Sequence, residues 1–337
     1  MVYLPAAKRQ NGNSGETVSR KCVMASDNAR ILVIGAGVNG SVCAERLLTR
    51  GVNVTLLARG NRLAEIQTNG IVIENPLNHK RRVAHVRAIG QLAPGDIYDY
   101  ILVIVRRNQV SALLPTLAAN SSPNVVFMNN NLNGPSEIVA ALGPQRPMLG
   151  FVFAGGKRDG DLIRAIGPFE HGPMRTPFGE IDGTITSRLK RLVNLLNRAG
   201  LRSAVSTRIV DYLATHAAGV AAITPLALKL ATADKPVPPS DPDIKLAAAA
   251  IHESYAVLKA LGHKIVPFSQ RLAAVTPVFA LAFLFRLLLN SRFFEVGGIY
   301  HAQQAPDELQ ALADDLRAAV IRSGVPAPAI RKVLEMK

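Results

Sequence analysis

Short apolar runs alternate with amphipathic stretches through the first part of the chain. Residues 30–34 and 100–105 are almost uninterrupted apolar runs, a pattern typical of parallel strands that are buried on both faces. Further strands are predicted at residues 52–57, 71–73, 83–89, 125–128, 148–153 and 202–205, and helices at 38–50, 108–118, 136–142 and 185–198. Strands and helices that alternate in this way predict a doubly wound α/β sheet of the Rossmann type.

The strand pattern stops near Ser206, and apolar positions then recur at helical spacing. Helices are predicted at residues 209–230, 243–261, 271–289 and 306–323. We therefore predict a Rossmann-type domain at residues 30–206 and an all-helical C-terminal domain at 207–337. Residues 1–29 are polar, lack the apolar core of a secretory signal and are predicted to form a disordered tail.

A glycine-rich turn, Gly35-Ala36-Gly37-Val38-Asn39-Gly40, connects the first predicted strand to the first predicted helix. In this setting the three glycines provide a tight turn, a close approach of the backbone to a pyrophosphate, and close packing of the helix on the strand. The helix N-terminus that follows carries a partial positive charge, which favours an anion. We therefore assign all six residues to the binding of a dinucleotide.

The end of the second predicted strand distinguishes NAD from NADP. An acid at this place accepts a hydrogen bond from the ribose 2′-hydroxyl of NAD and repels a 2′-phosphate. The chain has Arg59 there and no acid, and an arginine pairs with a phosphate through a charge-assisted fork. NADP(H) is therefore the predicted cofactor, and the alternative for Arg59 is an ordinary solvated surface arginine.

The formal net charge of +15 is large, but the basic residues are spread along the chain and form no motif with interleaved aromatic residues. A dinucleotide satisfies the same sign of charge, so we expect a small-molecule substrate and no nucleic acid. Cys22 and Cys43 have no metal-ligand spacing to any histidine, which favours a reduced cytoplasmic compartment and no metal site. The apolar segment at residues 272–285 is shorter than the roughly 20 residues that span a bilayer, so we predict a buried core helix and no membrane contact.

Four segments in combination resemble the 2-dehydropantoate 2-reductase (ketopantoate reductase) family, namely residues 54–60, 103–110, 150–163 and 178–183. Together with the alignment of the C-terminal helices given below, the resemblance extends over essentially the whole first predicted domain and part of the second. The resemblance implies the NADPH-dependent reduction of 2-dehydropantoate to pantoate, a step of pantothenate biosynthesis. It also implies a monomer or a homodimer, for which the apolar segment is a candidate interface.

The resemblance assigns further residues to the cofactor. Arg59 falls on the family's arginine for the 2′-phosphate, Arg106 stands where a lysine is usual, and Gln109 matches. Asn130 falls on the asparagine of the family's Gln-Asn-Gly-Leu-Gly turn, which implies a place beside the nicotinamide and the substrate. Both glycines of that turn are asparagines here, and asparagine is well suited among non-glycine residues to a positive φ.

The family's catalytic residues lie in the second predicted domain, where the chain departs from the family. When the family's Asn-Pro-Leu is aligned with residues 224–226, its catalytic lysine falls on His216. Val220 and Thr224 replace two asparagines on the same helix face, and Thr224 is a candidate substrate contact. An imidazole, with an ordinary pKa of about 6.5, donates a proton at neutral pH, so His216 is the candidate general acid. The alternative is a core or interface histidine.

Glu308 falls on the family's active-site glutamate when residues are counted back from Gly324. The alternative for Glu308 is an acid that stabilises the N-terminus of its helix. The family's serine and aspartate have no convincing counterparts at residues 294–304, where His301 is a candidate polar substitute.

The leading hypothesis is an NADPH-dependent reductase of a 2-oxo acid or a related carbonyl compound. A second enzyme hypothesis is an opine-type dehydrogenase, in which an amine condenses with the 2-oxo acid. A third hypothesis is a non-catalytic NADPH-binding regulator, which the apolar helix face around His216 favours.

Overall fold

The computed structural model describes residues 29–151, 154–166, 175–232, 241–289 and 299–335. The strands in these ranges are β1 (Arg30–Ile34), β2 (Asn53–Leu57), β3 (Ile71–Glu74), β4 (Arg81–Ala84), β5 (Arg87–Ile89), β6 (Tyr100–Val103), β7 (Val125–Met128), β8 (Pro147–Gly150), β9 (Gly155–Asp159), β10 (Leu162–Ile166), β11 (Thr176–Glu180) and β12 (Ser203–Val205). The predicted tail at residues 1–29 lies outside the described residues except for Ala29.

Helices alternate with strands as far as β12, and after β12 the described residues form helices but no strands. They are α1 (Val38–Thr49), α2 (Gly60–Asn69), α3 (Val110–Ala119), α4 (Ser136–Leu142), α5 (Ser187–Arg198), α6 (Ile209–Thr232), α7 (Asp241–Ala260), α8 (Phe268–Ala273), α9 (Val278–Leu289), α10 (Tyr300–Gln304), α11 (Pro306–Ser323) and α12 (Pro328–Leu334). A short 3-10 turn, Arg107–Gln109, precedes α3.

The central sheet has the strand order β12-β11-β8-β7-β6-β1-β2-β5 within the described ranges. Its strands run parallel except for the antiparallel pair of β8 and β11. Apolar side chains of α1 and α5 bury one face, and those of α3 and α4 bury the other. The prediction of a doubly wound α/β sheet followed by helices is confirmed.

A second, four-stranded sheet has the order β4-β3-β10-β9 and was not predicted. The single strand predicted at residues 83–89 is wrong, because β4 belongs to this second sheet and β5 to the central one. His85 and Val86 separate the two strands, and the β-branched residues spread over positions 83–89 give no sign of such a change of sheet. The Glu74 carboxylate joins three strands by accepting hydrogen bonds from Arg81 (2.8 Å) and Arg164 (3.2 Å).

β11 was also missed, because glycine and proline dominate the stretch around it. Its Phe178 is buried and packs where Gly150 of β8 has no side chain: an ideal Cβ on Gly150 would lie 2.4 Å from the Phe178 ring. The antiparallel partner therefore depends on one glycine, a contact between distant residues that strand propensity does not predict.

The helices after β12 surround α6, which packs against α7, α10, α11 and α12. By length and composition, Ile209–Lys229 of α6 would suffice to cross a membrane. Alanines of α6, including Ala217, Ala218 and Ala221, are fully buried in the helical core. Packing inside the protein therefore accounts for the apolar composition of this helix.

The segment predicted as one buried core helix at residues 271–289 is different in the structure. It divides into α8 and α9 at a turn that contains Pro277, and in α9 only Leu281 and Ala282 are buried. Large side chains such as Phe279 and Phe283 are 74% and 63% exposed. The prediction of burial is wrong because in α9 every position except Arg286 is apolar, and such a helix has no clear periodicity from which its one covered side can be identified.

Candidate functional site

The loops after β1, β2, β6, β7 and β8 lie side by side, because these strands are parallel neighbours and their carboxyl ends share one edge of the sheet. These loops contain Gly35, Arg59, Arg106, Asn130 and Phe151 respectively. In the sheet β1 lies between β2 and β6, so the chain leaves β1 toward one side and later returns to add β6 on the other side. The carboxyl end of β1 is therefore a topological switch point. Ligands of open α/β sheets bind at such points.

The glycine turn at this edge has two crowded positions and one open one. Gly35 has φ +110°, and an ideal Cβ on it would lie 2.1 Å from the carbonyl oxygen of Ile104. An ideal Cβ on Gly40 would lie 1.7 Å from the carbonyl oxygen of Gly35. Gly37 is exposed at the N-terminus of α1, and apart from its own neighbours in the chain no atom of the described residues lies within 4 Å of its ideal Cβ. The open space at Gly37 fits a phosphate group that approaches the backbone.

A buried arginine braces this turn and was missed by sequence reasoning. Arg62 is 8% exposed, and its Nε donates to the carbonyl oxygen of Ala36 at 3.2 Å. Its two terminal nitrogens donate to the carbonyl oxygen of Asp161 (3.3 Å) and to Oγ of Ser41 (3.4 Å). In the sequence Arg62 is only one more basic residue after β2. Its burial could not be predicted, because it depends on partners that are distant along the chain.

Arg59 differs from Arg62 although both follow β2. Arg59 is exposed at the position that precedes α2, and in the described part of the chain no hydrogen bond or ion pair of its guanidinium is found. Arg62 has its donors engaged by the protein. Of the two arginines, Arg59 is therefore the one available to a ligand at the end of β2.

The loop after β6 is joined to the start of α11. The guanidinium of Arg106 donates to Oδ1 of Asp307 at 2.7 Å and also to the carbonyl oxygen of Gln304. Asn108 donates to the other Asp307 oxygen at 3.0 Å, and the Gln109 side chain accepts from the backbone N–H of Arg106 at 3.4 Å. Burial opposes ionisation of Asp307, but the hydrogen bonds from Asn108 and Arg106 outweigh it and hold the pKa of this carboxyl below its ordinary value.

Two residues singled out in the sequence, Asn130 and Glu308, meet in the structure. Asn130 is 7% exposed after β7, and Glu308 is 4% exposed in the first turn of α11. Nδ2 of Asn130 donates to Oε1 of Glu308 at 3.2 Å, and the backbone N–H of Arg107 donates to the same oxygen at 3.3 Å. The side-chain oxygen of Asn130 is buried with no hydrogen-bond partner in the described structure. The pair therefore leaves one oriented acceptor unused.

His216 lies in the first half of α6, half-buried, beside Phe151, which follows the end of β8. Its ring centroid is 4.4 Å from that of Phe151 and 6.4 Å from that of Tyr212, whose ring is nearly parallel to it. Thr224 is buried two turns further along α6, and its hydroxyl donates to the carbonyl oxygen of Val220 at 2.8 Å. The Thr224 donor is thus used within its own helix. The side chain of His301 and residues 294–298 lie outside the described part of the structure.

Within the described ranges, no group of three His, Cys, Asp or Glu side chains is arranged to hold a metal ion. Cys43 is fully buried in α1, and this burial raises the pKa of its thiol to about 12. The thiol of Cys43 therefore stays protonated and packs as a small apolar group.

Comparison with known proteins agrees with the resemblance in the sequence. Residues 31–179 match the family model described as ketopantoate reductase PanE/ApbA. The 2-dehydropantoate 2-reductase of Pyrococcus horikoshii is 24% identical over 225 residues, which cover 66% of this chain and 71% of that protein.

Solved structures share the fold over nearly the whole chain. D-mandelate dehydrogenase, in a ternary structure with NADH and anilino(oxo)acetate, has a TM-score of 0.71 at 15% identity and covers 91% of this chain and 96% of its own. The 2-dehydropantoate 2-reductase of Geobacter metallireducens GS-15 has a TM-score of 0.68 at 18% identity, with 91% and 98% covered. The chain is thus ketopantoate-reductase-like in the sequence of its first half and in its fold.

Proposed function

We propose that the protein is an NADPH-dependent reductase that converts a 2-oxo acid or a related carbonyl compound to the corresponding alcohol. One observation carries the proposal: the open glycine turn, the exposed Arg59 and the buried Asn130–Glu308 pair lie along the same carboxyl edge of the sheet. The ketopantoate-reductase-like sequence and fold support an oxidoreductase. The bound NADH and 2-oxo compound named for D-mandelate dehydrogenase support a nicotinamide cofactor and this substrate class.

The residues present fit a dinucleotide. Gly37 leaves room for the pyrophosphate, and the N-terminus of α1 directs backbone N–H groups toward it. Arg59 is placed to hold the 2′-phosphate that distinguishes NADPH from NADH, because its guanidinium is exposed beside the turn. Arg106 and Gln109 form the wall of the same site, with Arg106 fixed by Asp307.

The reaction adds a hydride to the carbonyl carbon and a proton to the carbonyl oxygen. A bound NADPH supplies the hydride. His216, in its protonated form, donates the proton to the oxygen and regains one from water, so that 2-oxo acid, NADPH and one proton give 2-hydroxy acid and NADP⁺. Glu308 fixes the amide of Asn130, whose unused side-chain oxygen orients a donor of the bound ligands.

The surroundings of His216 favour an apolar substituent on the substrate. Phe151 and Tyr212 flank the imidazole, and Val220 follows it by one helical turn. Thr224 has its hydroxyl bonded within the helix and offers mainly its methyl group. We therefore expect 2-oxo acids with alkyl or aryl substituents to react faster than the hydroxylated 2-dehydropantoate.

A panel of substrates tests the proposal. Oxidation of NADPH is followed with pyruvate, 3-methyl-2-oxobutanoate, benzoylformate and 2-dehydropantoate, each with and without a primary amine. We expect turnover that needs no amine and is fastest with the larger apolar acids. Oxidation that requires the amine would establish the opine-type reaction instead, and tight NADPH binding without any turnover would leave a non-catalytic regulator.

The choice of cofactor is tested by Arg59→Ala. Charge-assisted hydrogen bonds contribute about 1.5–3 kcal/mol, so the dissociation constant of NADPH should rise by roughly 10-fold to 150-fold. That of NADH should hardly change, because NADH has no 2′-phosphate to lose a contact. Titration of cofactor fluorescence measures both constants, with Arg191→Ala, at an exposed arginine of α5, as the matched control. Equal losses for the two cofactors would contradict this assignment.

A further inference from the structure

Lys157 is a positively charged side chain to which the reaction proposed above gives no role. It lies in β9, half-buried, and its Nζ is 4.7 Å from the ring centroid of Tyr300 in α10. At this distance the face of the ring attracts the ammonium and fixes its position, which is a cation–π contact. Within the described part of the chain, no hydrogen bond or ion pair of the Lys157 ammonium is found. Its positive charge therefore has no anionic partner there.

The connection from β8 to β9 passes along the candidate site and ends in the strand of Lys157. Near its start the ring of Phe151 contacts the imidazole of His216. Directly before β9 the backbone N–H of Ala154 donates to Oδ1 of Asn39 in the glycine turn at 3.1 Å. The connection thus contacts both the proposed proton donor and the proposed cofactor turn before it reaches Lys157.

The helix α10 holds the ammonium from the side of the helical domain. It packs against β9 and also against α6, the helix of His216. At the other end of α10 the carbonyl oxygen of Gln304 accepts a hydrogen bond from Arg106. Lys157 is therefore fixed where β9 and α10 meet, next to the helix that carries the imidazole.

The other basic side chains of β9 and of the segments after β2 and β6 are already engaged, except for Arg59. Each has an acidic partner within 4 Å, and the pairs are Arg62–Glu65 (3.0 Å), Arg106–Asp307 (2.7 Å), Arg107–Asp315 (3.6 Å) and Arg158–Glu65 (3.7 Å). Arg59 lies at the end of β2, where we expect the phosphate of the cofactor. Among the described residues of these segments, Lys157 is thus the cation that remains for a second anion.

We propose that Lys157 binds the carboxylate of the substrate, an inference that rests on the reduction of a 2-oxo acid proposed above. In such an acid the carboxylate is bonded directly to the carbonyl carbon. The cation that holds the carboxylate and the group that protonates the carbonyl oxygen therefore act at the same end of the molecule. Lys157 reaches this end from β9 and His216 reaches it from α6. An ammonium has three donors, so one face can rest on the Tyr300 ring while a donor binds the carboxylate.

Two observations favour the carboxylate of the substrate over the phosphates of the cofactor. The open turn at Gly37 and the N-terminus of α1 already suit the pyrophosphate. Tyr300 also attracts the ammonium toward α10, which belongs to the helical domain together with His216. The charge of Lys157 is therefore directed toward the substrate half of the site.

An uncharged side chain of similar length at position 157 tests the proposal. Lys157→Met should raise the KM for benzoylformate by roughly 10-fold to 150-fold, the loss of one charge-assisted hydrogen bond. Its kcat should hardly change, because the contact is present in the ground state and in the transition state alike. The KM for methyl benzoylformate, the neutral ester, should be the same in variant and wild type. Lys157→Arg keeps the charge and should recover most of the loss, and Lys190→Met, at an exposed lysine of α5, is the matched control.

Binding is also measured without any reaction, by calorimetric titration of benzoylformate into protein saturated with NADP⁺. Lys157→Met should raise this dissociation constant by the same factor and leave the dissociation constant of NADPH unchanged. A folded Lys157→Met variant that binds benzoylformate as tightly as the wild type overturns the proposal. Weaker binding of NADPH by this variant also overturns it, because the ammonium would then belong to the cofactor.

A second position covers the case in which Lys157→Met does not fold, which circular dichroism detects. Tyr300→Leu leaves the lysine in place but removes the ring that fixes it, and should raise the KM for benzoylformate by roughly 2-fold to 30-fold. Tyr300→Phe keeps the ring and should keep the KM. Equal KM values for the leucine and phenylalanine variants would contradict the proposed position of the ammonium.

The role of Lys157 and the proposed reaction can fail separately. A wild type that reduces no 2-oxo acid contradicts the reaction, and the calorimetric titration then still decides whether Lys157 binds the carboxylate. A wild type that reduces benzoylformate, with an unchanged KM in Lys157→Met, contradicts the role of Lys157 alone. A wild type that neither reduces nor binds benzoylformate contradicts both.

Discussion

Gly37→Ala should leave the protein folded but greatly weaken its binding of NADPH, whereas Gly40→Ala should destabilise the fold itself. The two positions are three residues apart in the same turn, yet they face different surroundings. Among the described residues, apart from its own neighbours in the chain, no atom lies within 4 Å of an ideal Cβ on Gly37, so a methyl group there meets no other described part of the protein. It would instead occupy the space into which the pyrophosphate has to fit.

At Gly40 the added methyl group would lie 1.7 Å from the carbonyl oxygen of Gly35, and backbone cannot move aside as a flexible side chain would. Overpacking of this kind costs about 3 kcal/mol or more. The Gly37 substitution should cost less than about 1 kcal/mol, the scale of an N-cap preference. Thermal melts without cofactor measure this difference between the two variants.

Binding of NADPH then separates the two roles. The dissociation constant of Gly37→Ala should rise by at least about tenfold, which is 1.4 kcal/mol, in a protein that melts close to the wild-type temperature. A Gly37→Ala variant that binds NADPH as tightly as the wild type would show that the cofactor does not approach this turn. Gly95→Ala, at an exposed glycine in the loop before β6, controls for the added methyl group alone, because Gly95, like Gly37, is not at positive φ and its Cβ is also unobstructed.

Local sequence predicted the parts of the fold that local forces determine. Runs such as those of β6 and β7 were identified because a strand buried on both faces is apolar at every position. The same reasoning was wrong for α9, where every position except Arg286 is apolar but one side alone is covered. Continuous hydrophobicity indicates that a segment is apolar, and only tertiary packing decides what covers it.

The residues of the candidate site also divide into those that local sequence predicts and those that only distant contacts bring together. The glycine turn and Arg59 could be predicted as a dinucleotide site because the residues that bind one dinucleotide lie within one βαβ unit, and their binding of a cofactor stays a prediction. The contacts of Arg106 with Asp307 and of Asn130 with Glu308 join residues 201 and 178 positions apart, and no spacing rule predicts them. Asn130 and Glu308 were each singled out only through the family resemblance, and the hydrogen bond between them became evident from the structure.

The structure explains why an arginine stands at position 106, which the resemblance alone did not explain. Its planar guanidinium reaches both the carboxylate of Asp307 and the carbonyl oxygen of Gln304, two acceptors from one donor group. This contact fixes the loop after β6 to the start of α11, where Glu308 directly follows Asp307. Arg106 thus joins the carboxyl edge of the sheet to the helix that carries Glu308, the buried carboxylate that accepts a hydrogen bond from Asn130.

His216→Ala should lower kcat by about 10²-fold to 10⁴-fold, the usual contribution of a positioned general acid. NADPH binding should be unchanged, because the substitution lies on α6 and away from the glycine turn and Arg59. The competing interpretation is that His216 only packs between Phe151 and Tyr212. In that case the alanine variant would melt at a lower temperature but would keep its kcat. The control is His85→Ala, at an exposed histidine between β4 and β5, which should keep its kcat under either interpretation.

His216→Lys separates proton donation from packing more sharply. A donor must be protonated, so the rate holds at pH values below its pKa and falls as the pH rises through it. The ordinary pKa of a lysine, about 10.4, exceeds that of an imidazole, about 6.5, so the alkaline fall in kcat should move to higher pH in the lysine variant. Partial recovery of kcat with this shift identifies position 216 as the source of the proton. Recovery without any shift would mean that the proton comes from another group and that the side chain at 216 acts by filling space on α6.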